Sequence, residues 1–139
     1  MGENWKLSVD ANLDNLATVR HFLEKIATLT KINPAILGDL LLATDEAITN
    51  IITHGYHSSG GVLEIEVQYD SDTLTIAIRD QAAAYNPLSA GAPDLDTSPL
   101  EQDKPGGFGV YLIKRMVDDV HYRHTQDGHN ELILVKRCA

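Results

Sequence analysis

The stretch Leu63-Glu64-Ile65-Glu66-Val67-Gln68-Tyr69-Asp70-Ser71-Asp72-Thr73-Leu74-Thr75-Ile76-Ala77-Ile78-Arg79-Asp80 holds two runs of period two around a polar turn. Successive side chains of a strand point to opposite faces. Leu63, Ile65, Val67 and Tyr69 therefore share one face, and Glu64, Glu66 and Gln68 the other. After the Asp70-Ser71-Asp72 turn, Leu74, Ile76 and Ile78 alternate with Thr75, Ala77 and Arg79. The pattern predicts a hairpin with one buried and one wet face, which antiparallel sheets allow. Asp80 has the parity of Leu74, Ile76 and Ile78. Either its carboxylate points inward, which is costly without hydrogen-bond donors, or the strand ends at Arg79 and Asp80 opens the next loop.

Working outward, Trp5 to Val9 alternates and predicts a short first strand. Leu13, Leu16, Phe22, Leu23, Ile26 and Leu29 recur at helical spacing, giving an amphipathic helix over about 13–30. Asn33-Pro34 is a helix start, with Asn capping and Pro at the first helical position. This second helix is expected to run to about His54, with Gly55 ending it. Beyond the hairpin, periodicity is lost from Gln81 to Gly107, where four of the five prolines fall. So long a loop in a compact domain often serves as a lid or binding loop. Gly109 to Val117 reads as a helix, and Val120–His124 with Glu131–Lys136 as a last hairpin turned near Asp127-Gly128. The expected class is α+β: a two-layer α/β sandwich, mostly antiparallel, with helices on one face of the sheet.

A chain of 139 residues suits a single domain over 1–139. Eleven Lys+Arg against twenty Asp+Glu give a formal charge of −9. That argues against nucleic acid or an anionic membrane as the main partner, since both call for a basic face. It leaves room for one phosphate ligand held by backbone amides and a metal. One cysteine, Cys138, cannot form an internal disulfide, so a reducing compartment is expected. There is no apolar run of membrane-spanning length and no signal-peptide pattern at the N-terminus. The expected location is cytoplasmic.

Two further features stand out. Glu46, Asn50 and His54 follow one another at i, i+4, i+8 and form a single helical stripe. The apolar stripe Leu37, Leu41, Ile48, Ile52 lies on the other side, and Ala43 within the polar stripe leaves room for an approaching group. The stripe reads either as a solvated face or as a metal-assisted site, with Asn offering a hard oxygen to Mg²⁺ and Glu orienting or deprotonating a nucleophile. Gly106-Gly107-Phe108-Gly109 opens a helix directly after the long loop. It reads either as a hinge or as a place where helix-start amides meet phosphate. It is no P-loop, because no Gly-Lys-Ser/Thr follows. The six histidines lack close metal-site spacing, and no Gly-x-Ser-x-Gly elbow is present.

Taken in order, these pieces resemble the N, G1 and G2 boxes of the Bergerat-fold (GHKL) ATPases, and within them the small bacterial anti-sigma-factor serine/threonine kinases. The N box reads Asp45-Glu46-Ala47-Ile48-Thr49-Asn50-Ile51-Ile52-Thr53-His54-Gly55-Tyr56, and the G2 box Gly107-Phe108-Gly109-Val110-Tyr111-Leu112-Ile113. The resemblance spans nearly the whole chain. It implies the Bergerat ATP-binding fold, with ATP and Mg²⁺ as cofactors. Glu46 is then the catalytic base toward a serine or threonine, and Asn50 the Mg²⁺ ligand. Asp80 accepts a hydrogen bond from the adenine amino group. Gly107 and Gly109 admit the phosphates to the helix start. His54, Lys104 and Phe108 complete the nucleotide-binding set, and residues 81–106 form the ATP lid. The implied partners are a sigma factor, an anti-anti-sigma-type protein, or both, with a homodimer possible.

The G1 box departs from the family pattern. Ala82 stands where the family has the glycine of Asp-x-Gly, and an alanine forced to positive φ costs about 1 kcal/mol. Lys104 is the only cation between Arg79 and Lys114. Two functions follow. The first is an ATP- and Mg²⁺-dependent protein kinase acting on a small regulatory protein. The second is a non-catalytic, sigma-factor-sequestering module with weak or absent nucleotide binding, motivated by Ala82. A third, weaker reading is the ATPase part of a sensor histidine kinase; it is not the expected one, because these 139 residues show no room for a separate phosphoacceptor-helix segment.

Overall fold

The computed structural model describes residues 2–56, 60–84, 86–89 and 107–138. Strand β1 (Glu3–Asp10) leads through a short 3-10 turn at Leu13–Asn15 into helix α1 (Leu16–Thr30). Helix α2 (Pro34–Asn50) follows, then the β2 (Val62–Asp70) and β3 (Thr73–Asp80) hairpin. Helix α3 (Gly107–Met116) precedes the second hairpin, β4 (Asp119–His124) and β5 (Asn130–Arg137). The strands form one sheet in the order β1-β2-β3-β5-β4, and every neighbouring pair is antiparallel. The expected α+β sandwich is therefore the observed fold.

Local chemistry accounts for the boundaries. The Asn33 side chain accepts from the Ala35 backbone N–H, and Pro34 opens α2 where its missing donor does no harm. The first turn of the expected 13–30 helix is 3-10 rather than α, with Asn12 accepting from the Asp14 N–H. The second helix does not run unbroken to His54. Its α part ends at Asn50 and continues as a wider π turn over Ile51–Gly55, closed by Tyr56 N–H to Ile51 O at 2.8 Å. Such turns are frequent at functional sites.

The core lies between the inner sheet face and the helices. Ile65, Val67, Ile76, Ile78 and Leu134 meet Val19, Leu23 and Ile26 of α1, Leu40, Ala47 and Ile48 of α2, and Ile113 of α3. One expectation is corrected here. Ala43 leaves no open space, being fully buried in the core, whereas Leu37 and Leu41 are only half-buried. The buried face of α2 is centred on Leu40, Ala43, Thr44 and Ala47, because α3 packs on this helix as well as the sheet. Among the described residues no helix is long and apolar enough to cross a membrane.

Candidate functional site

The strand register settles the position of Asp80. Strand β3 continues to Asp80, which pairs with Asn130 at the start of β5. Its side chain points inward and is 5% exposed. The cost of burial is met by donors: Asp80 Oδ1 accepts from the Ala82 N–H at 2.9 Å and from Asn130 Nδ2 at 2.9 Å. No protein donor reaches Oδ2 among the described residues.

Asp80 and Asn50 line the same small, mainly apolar cavity. Ala47, Asn50 and Ile51 form its helical wall, while Asp80, Tyr122, Asn130 and Leu132 form the wall from the sheet; Gly55 and Pro87 close the rim. Asn50 is buried, at 8% exposure, and its amide has no hydrogen-bond partner among the described residues. Glu46 stands one helical turn earlier on α2, against the start of α3. A Cβ at Gly109 would lie 2.9 Å from Glu46 Oε2, so glycine is what lets the two helices approach here. Burial, and then the neighbouring Asp45 carboxylate, push the Glu46 carboxyl above its ordinary value.

Other expected residues are placed differently. His54 lies half-buried in the turn after α2 and does not line the cavity. Gly107 and Phe108 belong to the first turn of α3. Lys104, and the expected lid from residue 90 to residue 106, lie outside the described residues.

The backbone of the G1 loop carries no strain at Ala82. The left-handed non-glycine residues, among those described, are Lys31, Ser71 and Asp72. The Ala82 methyl packs over Gly55, 3.4 Å from where a Cβ there would sit. The loop is further tied by Tyr56, whose hydroxyl donates to Val62 O at 3.0 Å and accepts from the Gln81 N–H at 2.7 Å.

Two site residues escape a reading of sequence alone. Asn130 precedes the expected strand, and Tyr122 looks like an ordinary strand aromatic. The signal for Asn130 was its parity with Leu132 and Leu134, one residue beyond the expected strand end.

Over residues 9–136 the chain matches the family described as the histidine kinase-like ATPase domain. It is similar to the serine/threonine-protein kinase BtrW of Bordetella bronchiseptica, 29% identical over 120 residues, covering 86% of this chain and 83% of that protein. It is similar to the serine-protein kinase RsbW of Bacillus cereus, 28% identical over 127 residues, covering 89% of this chain and 79% of that protein. The anti-sigma F factor of Clostridium acetobutylicum is 28% identical over 110 residues, covering 74% of this chain and 71% of that protein. Among solved structures, the RsbU and RsbW domains of a Mycobacterium tuberculosis protein superpose with a TM-score of 0.68 at 16% identity. That match covers 97% of this chain and 32% of the solved chain, a likeness of fold.

Proposed function

Because this chain belongs to the histidine kinase-like ATPase domain family, we propose that it is an anti-sigma-factor-type serine/threonine protein kinase, using ATP and Mg²⁺ to phosphorylate a small regulatory protein. The observation that carries this reading is the inward Asp80 carboxylate, with Oδ1 occupied by protein donors and Oδ2 left to a ligand. It shares its cavity with the Asn50 amide, which has no hydrogen-bond partner among the described residues. An amino group on a flat, apolar ring suits such a cavity, with the ring between Ala47, Ile51 and Leu132.

The donor set fits magnesium. Asn50 supplies one hard oxygen, and among the described residues no group of three His, Cys, Asp or Glu could hold a metal ion by itself. Mg²⁺ characteristically takes few protein ligands and completes its shell with phosphate and water. When bound, it neutralises phosphate charge. Glu46 acts on the acceptor: the hydroxyl oxygen bonds to the γ-phosphorus, the bond to the bridging oxygen breaks, ADP leaves, and the hydroxyl proton passes to Glu46. A carboxylate raised above its ordinary value is a stronger base when ionised. On this reading Gly107 and Gly109 admit phosphate to the start of α3, and Phe108, His54, Lys104 and the 81–106 lid make up the rest of the nucleotide-binding set. The acidic chain, at −9, complements a basic partner surface, as a sigma factor would present. The non-catalytic alternative loses its motive, since Ala82 is accommodated without left-handed backbone.

Calorimetry with Mg-ATP and Mg-ADP tests the reading, and absence of binding at millimolar nucleotide overturns it. Given binding, Glu46→Ala is expected to keep Mg-ADP affinity and lower transfer to the partner protein by about 10²–10⁴. Unchanged transfer removes Glu46 as the base.

A further inference from the structure

Asn130 sits at the meeting point of the sheet, the G1 loop and the cavity, and it is 5% exposed. Its Nδ2 lies 2.9 Å from Asp80 Oδ1, 3.1 Å from Ala82 O and 3.2 Å from Ala83 O. All three of those groups can only accept, so the amide nitrogen must face them. On the opposite side the Tyr122 hydroxyl donates to Asn130 Oδ1, a bond that this orientation allows. The amide is thus held from both ends.

We infer that Asn130, oriented by Tyr122, is the positioning residue that aims Asp80 and gives the site its preference for a 6-aminopurine over a 6-oxopurine. The inference rests on the nucleotide-binding reading above. Asp80 could otherwise swing either oxygen toward a ligand or out to the rim. With Oδ1 engaged by Asn130 and by the Ala82 N–H, the carboxylate has one rotamer and one free lone-pair edge, Oδ2. That edge accepts from an exocyclic amino group and repels a carbonyl oxygen in its place, as guanine would present. The same amide holds the carbonyls of Ala82 and Ala83, closing by side chain a loop where glycine is absent. Asn130 touches no ligand on this account and acts through Asp80.

The experiment compares Mg-ADP with Mg-GDP by calorimetry on the whole chain and on Asn130→Asp and Tyr122→Phe. Asn130→Asp keeps size and shape but removes the donors. The unmodified chain is expected to prefer ADP. Asn130→Asp is expected to lose about tenfold or more in ADP affinity, as removing a hydrogen bond to a charged group does, with little change for GDP, so that the preference collapses. Tyr122→Phe is expected to lose part of the preference with unfolding behaviour unchanged. A folded Asn130→Asp that keeps its ADP preference overturns the inference. Should that variant not fold, an unaltered preference in Tyr122→Phe overturns it instead. A chain that binds neither nucleotide overturns the parent reading, and this one with it; binding with unaltered preference overturns this one alone.

Discussion

Two cross-strand pairs lie side by side on β3 and β5, Arg79 with Glu131 and Asp80 with Asn130. One residue of displacement puts them on opposite faces of the sheet. On the outer face Arg79 donates to Glu131 Oε2 at 2.6 Å, Glu64 Oε1 at 2.6 Å and Glu66 Oε1 at 2.7 Å. Arg123 answers Glu131 Oε1, and Asn4 answers Glu66 Oε2 at 2.6 Å. Each oxygen of the two most buried carboxylates there has a donor. On the inner side Asp80 Oδ2, the Asn50 amide and the Glu46 carboxylate have no protein partner among the described residues. Filled valence serves the fold, and the open valence of Asp80 and Asn50 at the cavity is what the proposed nucleotide site would use.

The largest expected effect breaks the outer pair. Arg79→Met leaves Glu131, 2% exposed, with only the exposed Arg123, and leaves Glu66 with Asn4 alone. Stranding buried carboxylates costs about 3–5 kcal/mol. Urea unfolding should read that loss, while nucleotide affinity per folded molecule stays unchanged. A loss under about 1 kcal/mol would show the network to be a surface ornament. A parallel fall in affinity would show that the two faces are not separable.

The same contrast predicts opposite responses to pH. For Glu66, the Asn4 and Arg79 hydrogen bonds hold the carboxyl below its ordinary value of 4.5. For Glu131, burial works the other way, but the bonds from Arg123 and Arg79 outweigh it and hold that carboxyl below 4.5 as well. A depressed folded pKa gives stability that is present above the unfolded value and lost as pH falls through the folded one. The stability gap between the native chain and Arg79→Met is therefore expected to shrink as pH drops below about 4.5. Glu46 is shifted upward, so the acid limb of phosphoryl transfer should lie above 4.5. Asp45→Asn removes a like charge and should move that limb to lower pH. A limb that stays in place or rises would exclude Asp45 as a cause.

Most of the fold was legible because the β2–β3 hairpin alternates strictly; alternation gave Asp80 the inward parity, and its pairing with Asn130 decided that the strand extends that far. The helix stripe of Glu46 and Asn50 was legible from spacing of four. What stayed hidden depended on contacts far apart in the chain. Glu131 meets Arg79 across 52 residues, and nothing local marks a glutamate as buried. Asn130 follows a turn and has polar neighbours, so despite its parity with Leu132 and Leu134 its place in the strand emerges only once β5 is paired with β3. Ala43 was misplaced because a helical wheel shows one buried face, whereas α2 is covered by both the sheet and α3.

The smallest expected effect concerns Ala82, which borders the inner pair. If the missing glycine had weakened the site, Ala82→Gly would tighten nucleotide binding. The backbone at Ala82 is not left-handed, and its N–H already reaches Asp80 Oδ1 at 2.9 Å, so glycine offers the loop no conformation it lacks. It adds freedom to the unfolded chain and removes a methyl packed over Gly55. The expected result is a loss of about 0.4–1 kcal/mol in stability with no gain in Mg-ADP affinity by calorimetry. A clear gain in affinity would mean that the methyl intrudes on the ligand, and that the inner site is less complete than its hydrogen bonds indicate.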